Sequence, residues 1–216
     1  MGVIGLGAGT LAAYGNASDY FRFYEINPLV VSIAKNWFSY LRDTPAKVDI
    51  AMGDARLSLA AEPSQQYDVL AVDAFSGDAI PVHLLTKEAF ALYLRHLKPG
   101  GILAVHTSNT YLDLAPVVQL LADDVHYPVR LITNGDDLRK LIDTSDWVLV
   151  TRNEDFLRDL DATTLEPVSY THLDVYKRQS LSRGLRDYNL NSSRNRLVCT
   201  RLTGISVCFL SFIFSM

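Results

Sequence analysis

Along the first 152 residues, short apolar runs alternate with stretches whose apolar residues recur every three or four positions. The runs predict strands over Met1 to Leu6 (ending in glycines), Tyr20 to Glu25, Val48 to Met52, Tyr67 to Val72 and Ile102 to His106. Tyr67 to Val72 is nearly continuous in apolar side chains, as expected of a central parallel strand covered on both faces. Asn27 is expected to cap a helix, with Pro28 in its first turn. Val30, Ile33, Ala34, Trp37, Phe38 and Leu41 follow at helical spacing and predict one buried face. Thr86 predicts the next cap, with Leu85 and Phe90 as a hydrophobic staple. Phe90, Tyr93, Leu94 and Leu97 extend that helix, and Pro99-Gly100-Gly101 is expected to stop it. A further helix is expected from about Ala115 to Val125. Val129 to Thr133 and Trp147 to Thr151 predict two late strands with no full helix between them. The pattern is α/β: a doubly wound, mostly parallel seven-stranded sheet, with an antiparallel hairpin at one edge.

Composition narrows the function classes. A chain of 216 residues holds one such domain with a substantial core. Its formal net charge of -4 gives no global basic footprint, so nucleic acid is not an expected partner. The two cysteines, Cys199 and Cys208, sit near the C-terminus. A disulfide framework or a cysteine-built metal site in the main body is therefore not expected, and a reducing, cytoplasmic compartment is the default. The opening Met1-Gly2-Val3-Ile4-Gly5 has no secretory-signal pattern. Ile205 to Phe214 is about half the apolar length that spans a bilayer. The chain opens inside its first strand, which this fold places at the sheet centre, so preceding sequence upstream of Met1 is expected. Residues 1–166 are read as the nucleotide-binding catalytic domain and 167–216 as a tail. The string from Val168 to Gln179 resembles translated adapter sequence, and the tail is expected to be disordered or foreign. Lys177 to Arg201 carries seven basic residues and one acid. A basic arm is the alternative reading of that stretch.

The candidate chemistry lies at predicted strand ends. Gly5-Leu6-Gly7-Ala8-Gly9-Thr10 follows the first strand and is expected to open a helix. Gly5, Gly7 and Gly9 would let the backbone approach a ligand, helped by free N–H groups of the helix start. Thr10 stands where the dinucleotide fingerprint wants Gly or Ala, so the spacing favours an adenosyl-sulfonium ligand without a pyrophosphate. Glu25, at the end of the second strand, is placed to accept hydrogen bonds from ribose hydroxyls. Asp54, with Ala55 beside it, is read either as a group near the adenine amino group or as an N-cap, and one residue could do both. Asp73 ends the fourth strand and Asp78 lies five residues on. Two acids there suit an amine nucleophile, which is mostly protonated at neutral pH and must lose a proton before it attacks carbon. For Asp78 a turn-forming role is equally open. His83 lacks a partner His or Cys at metal-ligand spacing, so it is read first as a loop-packing residue and second as a pocket residue. No metal is expected.

Taken together these residues resemble the spermidine synthase family of aminopropyltransferases, in the class I S-adenosylmethionine-dependent methyltransferase-like, Rossmann-like fold. The resemblance covers roughly Gly2 to Arg152. It is carried by Tyr67-Asp68-Val69-Leu70-Ala71-Val72-Asp73, by His83-Leu84-Leu85-Thr86-Lys87-Glu88-Ala89-Phe90 and by Leu97-Lys98-Pro99-Gly100-Gly101. It implies that Gly5, Gly7 and Gly9 form the nucleotide loop, Glu25 holds the ribose, Asp54 and Ala55 lie near the adenine, and Asp73 deprotonates the attacking amine. The implied co-substrate is decarboxylated S-adenosylmethionine or S-adenosylmethionine, and the implied partner is a small-molecule amine. Two departures stand out. Ala8 occupies the place of an Asp that the family carries in its glycine loop. Asp78 precedes Ala79 and lies five residues after Asp73, where the family's second acid lies three after and precedes Pro. The string from Asp73 to Pro81 looks more like divergent bacterial members, some fused to membrane segments. An upstream β-domain, a membrane segment and a homodimer of the full-length protein are all compatible with that likeness. Three functions therefore stay open: aminopropyl transfer to putrescine or a similar amine, S-adenosylmethionine-dependent methyl transfer, and a non-catalytic ligand-binding fragment.

Overall fold

The computed structural model describes residues 1–75, 80–134 and 144–161. Its strands are β1 (Gly2–Ile4), β2 (Tyr20–Glu25), β3 (Lys47–Met52), β4 (Tyr67–Val72), β5 (Leu97–His106), β6 (Val129–Asn134) and β7 (Ser145–Val150). They form one seven-stranded sheet in the order β3-β2-β1-β4-β5-β7-β6. The first five run parallel, and β7 runs against both β5 and β6. This is the predicted doubly wound sheet with its edge hairpin. Helices α1 (Pro28–Trp37), α2 (Tyr40–Asp43), α3 (Ala55–Ala61), α4 (Lys87–Arg95), α5 (Ala115–Asp124) and α6 (Glu154–Asp161) join or flank the strands.

The apolar runs are explained by burial on both faces. Leu70, Val72, Leu103 and Val105 pack with Leu59, Phe90 and Val118 of α3, α4 and α5. Their neighbours Val69, Ala71, Ile102 and Ala104 pack on the other face with Ala34 of α1 and with Phe156 and Leu160 of α6. Alternate residues of one strand thus serve two separate cores, as period-two side-chain geometry requires. Helix α6 was not foreseen from the sequence. Among the described residues, no helix is long and apolar enough to cross a membrane.

Four local expectations are corrected. The segment after the glycine loop is a five-residue 3-10 turn, Thr10–Tyr14, and not an α-helix. Gly15 ends it in extended conformation, six residues short of the buried Phe21 of β2, which leaves no room for a longer helix. The free N–H and dipole argument from a helix start therefore lapses. Second, α1 does not bury one long apolar face. It stops at Phe38, whose backbone is extended, so Leu41 belongs to a separate turn. Trp37 is 83% exposed and Ile33 is also exposed, while only Ala34 is fully covered. Third, Pro99-Gly100-Gly101 does not stop α4, which ends at Arg95. The three residues lie within β5, where its register against β4 shifts between Tyr67 and Val69. Fourth, the sheet-forming part of the first strand is only Gly2–Ile4. The caps hold: Asn27 and Thr86 accept N–H bonds from Leu29 and Ala89 at 3.0 and 3.2 Å.

His96, between α4 and β5, sets a pH dependence of stability. It is fully buried; its Nδ1 accepts the N–H of Gln65 at 3.3 Å and its Nε2 faces the Leu59 carbonyl at 2.9 Å. That arrangement requires a neutral ring with the proton on Nε2. Burial pushes its pKa below the ordinary value. Below the unfolded value of about 6.5 the unfolded chain takes up a proton that the folded ring resists. This contribution is complete above that pH and is lost as pH falls towards and through the lower folded value. Thermal melts are expected to show Tm falling from about pH 6.5 downwards, with a shallower fall in His96→Gln. Equal slopes in the two proteins would refute the assignment.

Candidate functional site

The carboxyl ends of the five parallel strands share one rim, where ligands of open α/β sheets bind. Backbone hydrogen bonds continue the sheet past the strand tips. Gly5 donates to the Tyr24 carbonyl, Gly53 to that of Glu25 and Asp73 to that of Ile4, each at 2.9 Å. Gly5, at φ 100°, follows β1 and lies against the main chain that follows β4. A Cβ there would lie 2.3 Å from the Asp73 carbonyl oxygen, so only glycine fits.

A cavity of about 430 Å³ opens on this rim. It is within the size range of small-molecule sites, roughly 300–1,000 Å³. Gly5, Gly7, Glu25, Asp54, Ala55, Asp73 and His83 all line it. Gly9 does not; a Cβ on it would press on Leu41 at 2.8 Å, so its smallness serves packing. Gly7 is the opposite case. Its φ is 54°, and an added Cβ would meet nothing within 4 Å. Asp78 lies outside the described residues.

Glu25 is buried and bridges the loop on either side of it. Its carboxylate accepts the N–H of Leu6 at 3.1 Å on Oε2 and that of Asn27 at 2.8 Å on Oε1. A carboxylate has about four acceptor positions, so two stay open for other donors. Asp54 is the N-cap of α3: its Oδ1 accepts the N–H of Leu57 at 2.9 Å, and its Oδ2 pairs with His83 Nε2 at 2.9 Å. His83 thereby ties the segment before α4 to α3, while its own carbonyl accepts from Arg56. Asp54→Ala is expected to destabilise the protein by about 1–2 kcal/mol, and Asp54→Asn by only a few tenths, since Asn also caps. The exposed pair with His83 adds little. Equal melting of the two variants would show that the cap is not what matters.

Asp73 closes the other end of the cavity. Its Oδ1 lies 2.8 Å from His106 Nδ1, and each side chain is 14% exposed. His106 Nε2 in turn lies 2.8 Å from Ser108 Oγ, which accepts the N–H of Asp146 at 2.7 Å. The His106 ring stacks on Trp147 at 4.7 Å and meets the edge of Phe75 at 4.8 Å. Among the described residues, only His106 hydrogen-bonds this carboxylate. The sequence reading gave no role to His106, Ser108 or Trp147. Register brings one of them to the acid: Val72 pairs with Val105, so the next residues along, Asp73 and His106, fall side by side.

A second polar cluster adjoins the cavity. Tyr24 lines it, and its hydroxyl bonds to Glu62 at 2.9 Å and Tyr67 at 2.8 Å, neither of which lines the cavity. Burial pushes the Tyr24 phenol up to about 12, so it stays neutral. Three carboxylates face the cavity and no Lys or Arg among the described residues lines it. Such a site favours a cationic ligand. Among the described residues, no group of His, Cys, Asp and Glu gathers as a metal site.

No protein-family model matches the chain. A polyamine aminopropyltransferase of Vibrio vulnificus (strain CMCP6) is 33% identical over 113 residues, which is 50% of this chain and 37% of that protein. The eEF1A lysine and N-terminal methyltransferase of Xenopus laevis is 39% identical over 82 residues, 35% of this chain and 12% of the relative. The chain thus spans well under two thirds of the length of these relatives. The solved spermidine synthase of Thermotoga maritima superposes with a TM-score of 0.54 at 16% identity, covering 82% of this chain and 63% of that one. At that identity the match speaks to the fold, which is the methyltransferase-like one. The relatives are transferases, of the kind the motifs resemble.

Proposed function

We propose that this domain transfers an aminopropyl group from decarboxylated S-adenosylmethionine to putrescine or a similar small amine. The observation that carries this reading is the convergence on one cavity of an open glycine, a buried carboxylate and a strand-end aspartate. The nucleotide's ribose hydroxyls would take the two open acceptor positions of Glu25. Gly7, with open space where a side chain would stand, leaves room for the adenosyl group, and Asp54 and Ala55 flank the adenine end. The three carboxylates suit a sulfonium and an ammonium brought together.

In the reaction, the ammonium first gives a proton to Asp73. The freed nitrogen lone pair forms the N–C bond at the carbon beside sulfur, and the C–S bond breaks. Its electron pair stays on sulfur, leaving a neutral thioether. The step is a direct displacement, so alignment and exclusion of water supply much of the rate. Methyl transfer by the same displacement is the second reading. It is favoured by Ala8, which leaves the glycine loop without an acid for the aminopropyl ammonium, and by the methyltransferase among the relatives.

Calorimetry of the chain with each nucleotide, followed by mass analysis of putrescine after incubation, tests the two. Tighter binding of the decarboxylated form and a product carrying an added aminopropyl group support the first. Binding of the carboxylated form alone, with a methylated product, supports the second. No binding of either nucleotide overturns both and leaves the non-catalytic alternative.

A further inference from the structure

We propose that His106 is a positioning residue for Asp73: it donates Nδ1–H to one carboxylate oxygen and so keeps the other turned to the cavity. This deepens the reading of Asp73 as the group that accepts the amine's proton, and it rests on that reading. Two independent sets of contacts carry it.

The first is the direction of the hydrogen bonds. Ser108 Oγ accepts the N–H of Asp146, a backbone donor whose direction is fixed. An ionised carboxylate only accepts, so the 2.8 Å contact with Asp73 Oδ1 places a proton on His106 Nδ1, which donates to it. A neutral imidazole protonated there accepts at Nε2. Ser108 Oγ, with the Asp146 N–H already accepted, gives its one proton to that nitrogen at 2.8 Å. The carboxylate therefore sets the tautomer, and the serine, oriented by a main-chain amide, supports it. The second is the ring's cage. Trp147, itself buried, lies almost parallel to the imidazole at an interplanar angle of 12°, and Phe75 meets it at 69°. The stack and the edge contact restrain the ring, so the donated bond keeps its aim. Groups held this way stay in productive geometry without reorganising during reaction.

The order Asp73, His106, Ser108 is also that of a hydrolytic triad, in which the serine would be the nucleophile. The cavity argues otherwise. Asp73 lines it and Ser108 does not. Ser108 is the far support of the chain, and the carboxylate is its working end.

The test uses the full chain and two variants. His106→Leu removes the donor; His106→Asn keeps an N–H near the position of Nδ1. His106→Leu is expected to lower kcat about 10–100-fold, the usual effect of removing an outer supporting partner, with the calorimetric affinity for nucleotide unchanged. His106→Asn is expected to recover most of that loss. A merely structural histidine would show no such rescue. Long-range proton–nitrogen NMR of the ligand-free chain should find Nδ1 of His106 protonated and Nε2 bare. That readout needs no turnover. An inactive parent with Nδ1 protonated would sink the transfer reaction and leave the oriented histidine supported. Protonated Nε2, an unchanged kcat in His106→Leu, an Asn variant as slow as the Leu variant, or labelling of Ser108 by a fluorophosphonate would each overturn the proposal.

Discussion

Asp73→Asn is expected to reduce group transfer by about 10²–10⁴-fold, the range contributed by a positioned general base. The swap keeps shape and removes charge. The Asn carbonyl can still accept from His106 Nδ1, so the aromatic stack with Trp147 should stay in place. What is lost is an acceptor for the ammonium proton and part of the negative field in the cavity. The amine KM should rise for the second reason and kcat should fall for the first. Nucleotide affinity should change by less than about tenfold, or about 1.4 kcal/mol, because the proposed reading assigns that ligand to Glu25 and Gly7. Steady-state kinetics beside calorimetry separates the effects. Turnover within about tenfold of the parent would show that some other group takes the proton.

Gly5→Ala and Gly7→Ala are expected to fail in opposite ways, though the two glycines are two residues apart. At Gly5 the new Cβ meets main-chain atoms of Asp73 at 2.3 and 2.9 Å, and the φ of 100° is hostile to any side chain. Backbone strain of about 1–3 kcal/mol adds to overpacking of about 1–3 kcal/mol. Tm should fall by roughly 10 °C. At Gly7 the methyl enters open space, and the left-handed backbone costs about 1–2 kcal/mol. The main effect there should be on the ligand, since the methyl occupies part of the cavity. Nucleotide affinity should drop while the chain still melts as one cooperative unit. Were Gly5→Ala to melt within about 2 °C of the parent, β1 and β4 could not be packed as described.

Most of the rim was legible because two simple rules combine. Apolar runs mark strands, and parallel connections put all their ends on one side. Glu25, Asp54 and Asp73 each end such a run, so the sequence alone brings them together. Register was harder to read. The pairing of Val72 with Val105 makes Asp73 and His106 neighbours, but strand ends are uncertain by a residue or two from pattern alone, enough to miss a side-by-side pair. Trp147 could not be placed by any local rule, because it reaches the imidazole only once β7 has paired with β5. The 3-10 turn was missed for a related reason. Leu11 and Ala12 are as apolar as a helix face requires, and it is the short span before β2 that decides against one. Gly9 looked like its two companions in sequence. Only the nearness of Leu41 separates a packing glycine from one that opens onto the cavity.

β7 enters the rim from which β1 to β5 depart, being antiparallel to its neighbours. Its opening residues, Ser145 to Trp147, therefore arrive at the level of Asp73, and the Asp146 amide anchors Ser108 there. Five chains bring their final residues to this place and a sixth brings its first. A shift of the opening residues of β7 would thus reach the acid through three hydrogen bonds and one aromatic stack, with no alteration in the parallel scaffold. Descendants of this sequence could retune the acid from the start of β7 while the Glu25 side of the cavity stayed as it was.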